Sequence, residues 1–564
     1  MTRAKQWLCR FGLAAVLAVA SATGCTKSNE QAAAQALAEP GVEALLRKIP
    51  ADTPYVLVGF GGSVRPVVDK IYKGMAPMVD KLGPLLESVP ETGDSGPLVR
   101  AIAAEVKSVL QEGGIDRLGL DIDGRYAFYG IGGMPAFRWT LKDPQALRDM
   151  LARVQQGGGV TIPTCKLGDV EYWCGGPQDV KIAAAIVGDE LVLGVAPASQ
   201  ADRVFGILLG TSAPERSLAD SPKLREVMTK WGLGRFSAGY VDVRVITEAL
   251  MGEGDPLNRD VLAAIAPDLA SKWPELTPVC KDEIRALAGA APMLVFGTES
   301  ISADGFEMAG GLELRSDLAR ELVALRASVP GLSRQFGNDA LFAMGGGVHV
   351  GKAIELAVRK AQEVLKSPYQ CPQLSGLNRA AEEVVKGASE SLPKFVPALR
   401  GGALVLQDFK MSGFFPTTVK GFAVLATEDP SGLYEKIRAD LPTLGSYEWS
   451  DDGSVKTVPD GTVPFVNGIA YGAKAGQGIA IAVGPDSEST VKTLLSGAEV
   501  KDPPLMLMSY DLGRMMNELA GLMSLTGQGE AAAVFDFYKM FGTTTYETSI
   551  TDNGLAFRSG MKLR

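Results

Sequence analysis

Histidine is almost missing from this chain: His349 is the only one in 564 residues. Catalysis by an imidazole base, proton shuttling between two histidines and histidine-rich metal sites therefore have a single side chain to draw on. Aromatic residues are sparse at 7%, and 56 Lys and Arg face 65 Asp and Glu, for a formal net charge of −9. A field of that sign repels phosphate backbones and anionic head groups, and no Lys/Arg stripe interrupts it, so nucleic acid is disfavoured as a partner. Long apolar runs are missing after residue 25, where none reaches the roughly 20 residues that span a bilayer. What remains is 46% hydrophobic, enough for real cores. The chain is also longer than the roughly 250 to 300 residues at which one core stops growing, so two or more domains are expected.

The first 25 residues differ from the rest. Thr2-Arg3-Ala4-Lys5 is a basic start, Phe11 to Ala20 an apolar run, and Ser21-Ala22-Thr23-Gly24-Cys25 a stretch of small residues ending in a cysteine. The pattern reads as an export signal, too short to stay as a membrane-spanning helix. At Cys25 it resembles the lipobox of bacterial lipoproteins. Ala22 stands where most such boxes carry leucine, and cleavage by ordinary signal peptidase after Ala20 or Ala22 stays open. The resemblance implies a signal over residues 1–24, a lipidated Cys25 with palmitate-type acyl chains as the mature N-terminus, and attachment to the membrane through that lipid. It implies the bacterial cell envelope as the location, in contact with an oxidising compartment. Thr26 after the cysteine, rather than aspartate, leans toward the outer membrane under lipoprotein sorting rules.

Six cysteines are present: Cys9, Cys25, Cys165, Cys174, Cys280 and Cys371. Setting aside the signal and Cys25 leaves four, and an exported context favours structural disulfides. Cys165 and Cys174 bracket a strand-turn-strand pattern with Gly168-Asp169 at the bend, which places the sulfurs across a hairpin from each other. Cys280 and Cys371 are then paired by elimination, which would staple the two halves of the chain.

Residues 25–48 read as the lipidated cysteine and a tether passing into a short helix, and globular sequence opens at Pro50-Ala51-Asp52-Thr53. That opening resembles a group of uncharacterised exported bacterial proteins. Beyond it the chain repeats itself. Residues 298–315 align without gaps to 547–564, with Ser300, Ile301, Gly305, Gly311, Leu314 and Arg315 recurring as Ser549, Ile550, Gly554, Gly560, Leu563 and Arg564. Both segments read as hairpins turning at Asp304-Gly305 and Asn553-Gly554. A strand ending in Asp143-Pro144 recurs at Asp429-Pro430, with Asp placed to cap a helix and Pro at its first position. Leu191 to Gly210 matches Gly478 to Gly497. The order of the matches predicts a duplicated α+β domain with antiparallel sheets, built from strand-helix-hairpin units with helices on one face. The halves are residues 49–325 and 326–564, and the first carries an insert, Asp255 to Pro292.

Local motifs for chemistry fail on inspection. Gly93-Asp94-Ser95-Gly96-Pro97 is similar to the nucleophile segment of trypsin-like proteases, but that chemistry needs a histidine base upstream, so a surface loop is expected. His349 falls in the apolar run Leu341 to Val350 and reads as a plain strand residue. Asp121-Ile122-Asp123-Gly124 has the first spacing of a calcium loop without the remainder and reads as a turn, as does Asp451-Asp452-Gly453. The glycines 157–159 and 345–347 lack the Lys-Ser/Thr of a phosphate cradle. No catalytic residue, metal ligand or cofactor is assigned. Met75, Met78, Met344, Met506, Met508, Met515, Met516 and Met523 fit either ordinary core or an adaptable apolar groove. The expected function is a non-enzymatic binding or scaffolding module that meets an envelope protein or a hydrophobic ligand. The alternatives are a lipid carrier and an enzyme of unrecognised type.

Overall fold

The computed structural model describes residues 26–564 apart from 76–95, 112–113, 334–336, 338, 391–392, 413–414, 441–452, 459–469, 485, 497–499, 501 and 525–536. The chain divides into two compact units, Met1–Glu313 and Leu314–Arg564. Each is an antiparallel sheet with helices, the expected α+β class.

In the first unit the strands are β1 (Tyr55–Gly59), β2 (Tyr126–Ile131), β3 (Met134–Thr140), β4 (Thr164–Leu167), β5 (Val170–Gly175), β6 (Val180–Val187), β7 (Glu190–Pro197), β8 (Ser237–Asp242), β9 (Met293–Ser302) and β10 (Gly305–Glu313). They pair antiparallel in the order β4-β5-β6-β7-β3-β2-β1-β8-β9-β10. Side chains alternate between two faces. One face, carrying Val56, Val58, Ala127, Tyr129, Ala136, Val192, Ala238, Tyr240 and Val295, is fully buried. Helix Ala201–Leu209 packs on β7 there and helix Lys223–Trp231 on β8. The opposite face carries Leu57, Tyr126, Phe128, Phe137 and Trp139, and near Tyr126 and Trp139 it is met by helix 65–75 and helices Gly96–Gln111 and Pro144–Gly158. Asp143 starts the last of these as its spacing predicts, accepting from the N–H groups of Gln145 and Ala146 with Pro144 at the first position.

The second unit contains β11 (Phe342–Gly347), β12 (Leu399–Ser412), β13 (Phe415–Thr427), β14 (Lys456–Val458), β15 (Ala470–Ala475), β16 (Gly478–Val483), β17 (Met506–Asp511), β18 (Phe541–Thr551) and β19 (Gly554–Leu563). Their antiparallel order is β14-β15-β16-β13-β12-β11-β17-β18-β19. Read from β1 and β11 outward, the two orders correspond except at β4, which has no counterpart among the described residues, with β14, β15 and β16 standing where β5, β6 and β7 stand. Ala343, Val405, Val424, Ala480, Ala482 and Leu507 form the buried face and pack with Val491 and Leu494 of helix Ser487–Leu495.

Four local expectations are corrected. The boundary falls after Glu313, ahead of the predicted 325, because helix Ser316–Val323 packs on β18 and β19 of the second unit. Residues 26–37 form a helix that buries Ala33 and Leu37 and packs on helix Lys223–Trp231, in place of the tether expected ahead of a short helix, which is present at Pro40–Leu46. His349 is the residue that starts helix Val350–Lys366, beyond the end of β11. Gly96 and Pro97 open helix Gly96–Gln111 instead of closing a loop, while Gly93, Asp94 and Ser95 lie outside the described residues.

Candidate functional site

The first unit holds an apolar cleft of about 1060 Å³ between the second face of its sheet and three helices. Helix 65–75 contributes Val68, Ile71, Tyr72 and Met75; helix Gly96–Gln111 contributes Ile102, Glu105, Val106 and Val109; helix Pro144–Gly158 contributes Met150, Leu151 and Val154. The floor is Tyr126 of β2, Trp139 of β3 and Ile301 of β9. Ile102 and Val106 remain 47% and 48% exposed, so the helix turns an apolar face into open space rather than into core.

The walls are fixed by polar contacts around the cleft. The Asp123 carboxylate accepts from the backbone N–H groups of Val64 and Arg65 at 2.7 and 2.9 Å, holding the start of helix 65–75. Arg65 then donates from both terminal nitrogens to Asp116 at 2.6 and 2.7 Å. Residues 121–124 form the expected turn, with Gly124 N–H donating to the Asp121 carbonyl. The Trp139 indole N–H also donates to the Asp121 carbonyl, at 2.7 Å, which leaves its ring apolar toward the cleft. Helices Gly96–Gln111 and Pro144–Gly158 are clasped by a bidentate pair, Arg153 to Glu105 at 2.7 and 2.9 Å. Among the described residues Glu105 is the one carboxylate lining the cleft, and its hydrogen bond from Arg153 holds the carboxyl below the usual range. Burial pushes the Tyr72 and Tyr126 phenols up, so both stay neutral.

Gly59 makes room for the floor. It sits opposite Tyr126 in the sheet, and a Cβ there would lie 2.1 Å from the tyrosine ring, so only glycine lets that ring cross the strand.

In the second unit the corresponding helix is packed onto its sheet. Helix Pro430–Asp440, which follows β13 as Pro144–Gly158 follows β3, buries Leu433 and Tyr434 against Ile479, with Phe395, Leu399 and Ile437 packed around them. The open apolar area of the second unit lies on the sheet itself, where Met344, Leu404, Leu425 and Met506 are exposed over Gly345, Gly346 and Gly402. Of the methionines singled out by sequence, Met75 lines the first cleft and Met344 and Met506 this second area; the placement of Met78 and the Met523 side chain lies outside the described residues.

The remaining sequence candidates are dispersed. Cys165 and Cys174 are bonded across the β4–β5 hairpin, Cα atoms 5.7 Å apart, with Gly168 at positive φ in its bend. Cys280 is buried in the first unit and Cys371 in the second. His349 is half-buried, and burial together with Lys352 and Arg400 keeps its imidazole below its ordinary pKa. Asp451 and Asp452 lie outside the described residues. Among the described residues no group of three His, Cys, Asp or Glu side chains is placed to hold a metal ion, and no helix is long and apolar enough to cross a membrane.

The cleft is not legible in the sequence because its lining comes from segments as far apart in the chain as Val64 and Ile301. The one local sign, the apolar face Ile102, Val106 and Val109, has the same spacing whether it meets core or open space. Compared with known protein families, curated proteins and solved structures, the chain matches none.

Proposed function

We propose that this protein is a non-enzymatic binding module of the bacterial cell envelope, anchored through a lipid on Cys25, that carries a hydrophobic ligand in the cleft of its first unit. The observation behind the reading is the cleft itself. Its volume is that of a ligand site, its lining is aliphatic and aromatic, and its one carboxylate is already paired. A monomer seldom leaves apolar surface of this extent open without a use. The matching strand orders and the gapless sequence matches support reading the two units as products of one duplication.

Native mass spectrometry of the exported protein, purified without detergent, tests the proposal. The expected spectrum shows an added mass that denaturation releases as lipid. Val106→Asp, at an exposed position in the cleft, should abolish that mass, while Ile182→Asp, on an exposed strand position away from it, should not. A bare protein mass in all three would leave the scaffolding role in its place.

A further inference from the structure

The floor of the cleft does not end at its rim. Tyr126 and Trp139 stand opposite each other on β2 and β3 with ring centroids 5.9 Å apart, and both line the cleft. Two residues back along β3, Phe137 meets Trp139 edge to face at 5.6 Å. Phe137 stands directly opposite Phe128 of β2, and Phe128 stacks on Tyr55 of β1 at 5.5 Å with ring planes 27° apart. Leu57 is the neighbour of Phe128 on β1. Alternation along the strands puts Trp139 and Phe137, and Tyr126 and Phe128, on the same face. The result is a track of five rings that starts inside the cleft and runs out across three strands.

The track is open, since Phe128 is 39% exposed in the middle of it. A single exposed phenylalanine needs no account. Rings that stand side by side on one sheet face and continue an apolar cleft do, because each adds to one surface that water covers at a cost. Aromatic side chains also suit a flexible chain as a resting surface: they have few torsions to immobilise, so contact costs them little entropy.

Resting on the reading that the cleft binds an apolar ligand, we infer that the ligand is a long-chain amphiphile, one stretch of whose hydrocarbon fills the cleft while the rest lies along Trp139, Phe137, Phe128 and Tyr55. The continuity of the track with the cleft floor selects this occupant. A ligand confined to the cleft would gain nothing from Phe128, whereas a longer chain gains with every methylene laid on the rings. A fully buried methylene raises affinity about fourfold, and one covered on a single side roughly twofold.

The test is calorimetric titration of the full-length exported protein with lysophosphatidylcholines bearing decanoyl, myristoyl or stearoyl chains. It is run on the unaltered protein, on Phe128→Ser and on Ile182→Ser. Affinity in the unaltered protein should keep rising from decanoyl to stearoyl. Phe128→Ser should leave decanoyl binding unchanged, which also reports an intact cleft, and should weaken stearoyl binding about tenfold. Ile182→Ser should bind all three as the unaltered protein does. Equal affinities for all chain lengths, or a Phe128→Ser variant that loses short and long chains alike or neither, would overturn the track while leaving the cleft reading standing. Loss of a dimer in Phe128→Ser, seen by sedimentation with chain-length dependence unchanged, would assign the rings to a second copy of this chain and overturn it too. Absence of binding to any lipid would overturn both readings.

Discussion

The Arg138 guanidinium, 1% exposed within the first unit, donates to the Glu190 carboxylate at 2.7 Å and to the Tyr129 hydroxyl at 3.0 Å. A third donor reaches the Leu208 carbonyl. The network therefore ties β2, β3, β7 and helix Ala201–Leu209 together under the fully buried face. Removing one partner of a buried pair leaves an uncompensated charge, so Glu190→Gln should destabilise the unit by about 3 kcal/mol. Lys48 also binds Glu190, at 2.8 Å but from a more exposed position, and Lys48→Met should cost less than about 1 kcal/mol. Urea unfolding of the two variants checks the ranking.

Gly59→Ala places a methyl group against the Tyr126 ring. The ring must move, so the expected outcome is a loss of about 1 to 3 kcal/mol together with weaker lipid uptake in native mass spectra. Retained uptake at unchanged stability would show that the floor of the cleft does not depend on that close approach.

The Cys165–Cys174 bond closes a short loop, and Cys165→Ser with Cys174→Ser should lower stability by about 2 kcal/mol. Non-reducing peptide mapping should recover these two cysteines in one linked peptide. The same map tests the sequence-based proposal that Cys280 pairs with Cys371, which requires a second linked peptide.

A single histidine gives a single imidazole resonance to follow, so proton NMR of the untagged protein reads His349 directly. Burial and the charges of Lys352 and Arg400 lower its folded pKa, and the resonance should titrate below the unfolded value of about 6.5. The unfolded chain then binds the proton first, so this group's contribution is fully present above pH 6.5 and is lost as the pH falls from there through the lower folded pKa. The effect on stability is small because the side chain is half solvated.

Cys25→Ser should release the protein from envelope membranes into the soluble fraction. Continued membrane attachment would remove the lipid anchor from the proposed function.

Much of the fold was legible because it rests on short-range rules. The Asp-Pro pair at residues 143 and 144 announced a capped helix, and Asp304-Gly305 and Asn553-Gly554 announced two hairpins, since each depends on residues a few positions apart. His349 was placed in a strand because the apolar run from Leu341 continues through Val350, and hydropathy does not show that the run changes from strand to helix at the histidine. Helix Thr26–Leu37 reads as a tether because its alanines carry little hydrophobic signal; Ala33 is nonetheless buried, which only a neighbouring helix could reveal. The cleft was illegible for a different reason. Tyr72, Val106, Trp139 and Ile301 are ordinary apolar residues in ordinary positions, and the space between them follows from how far apart the helices and sheet settle.

Thr26 begins a helix that is packed against the body of its unit by Ala33. A protein moored at Cys25 would thus have almost no slack in its line. Its working radius would be its own width, and the molecules it could collect would be those that arrive at the bilayer surface, because it could not cast outward to meet them.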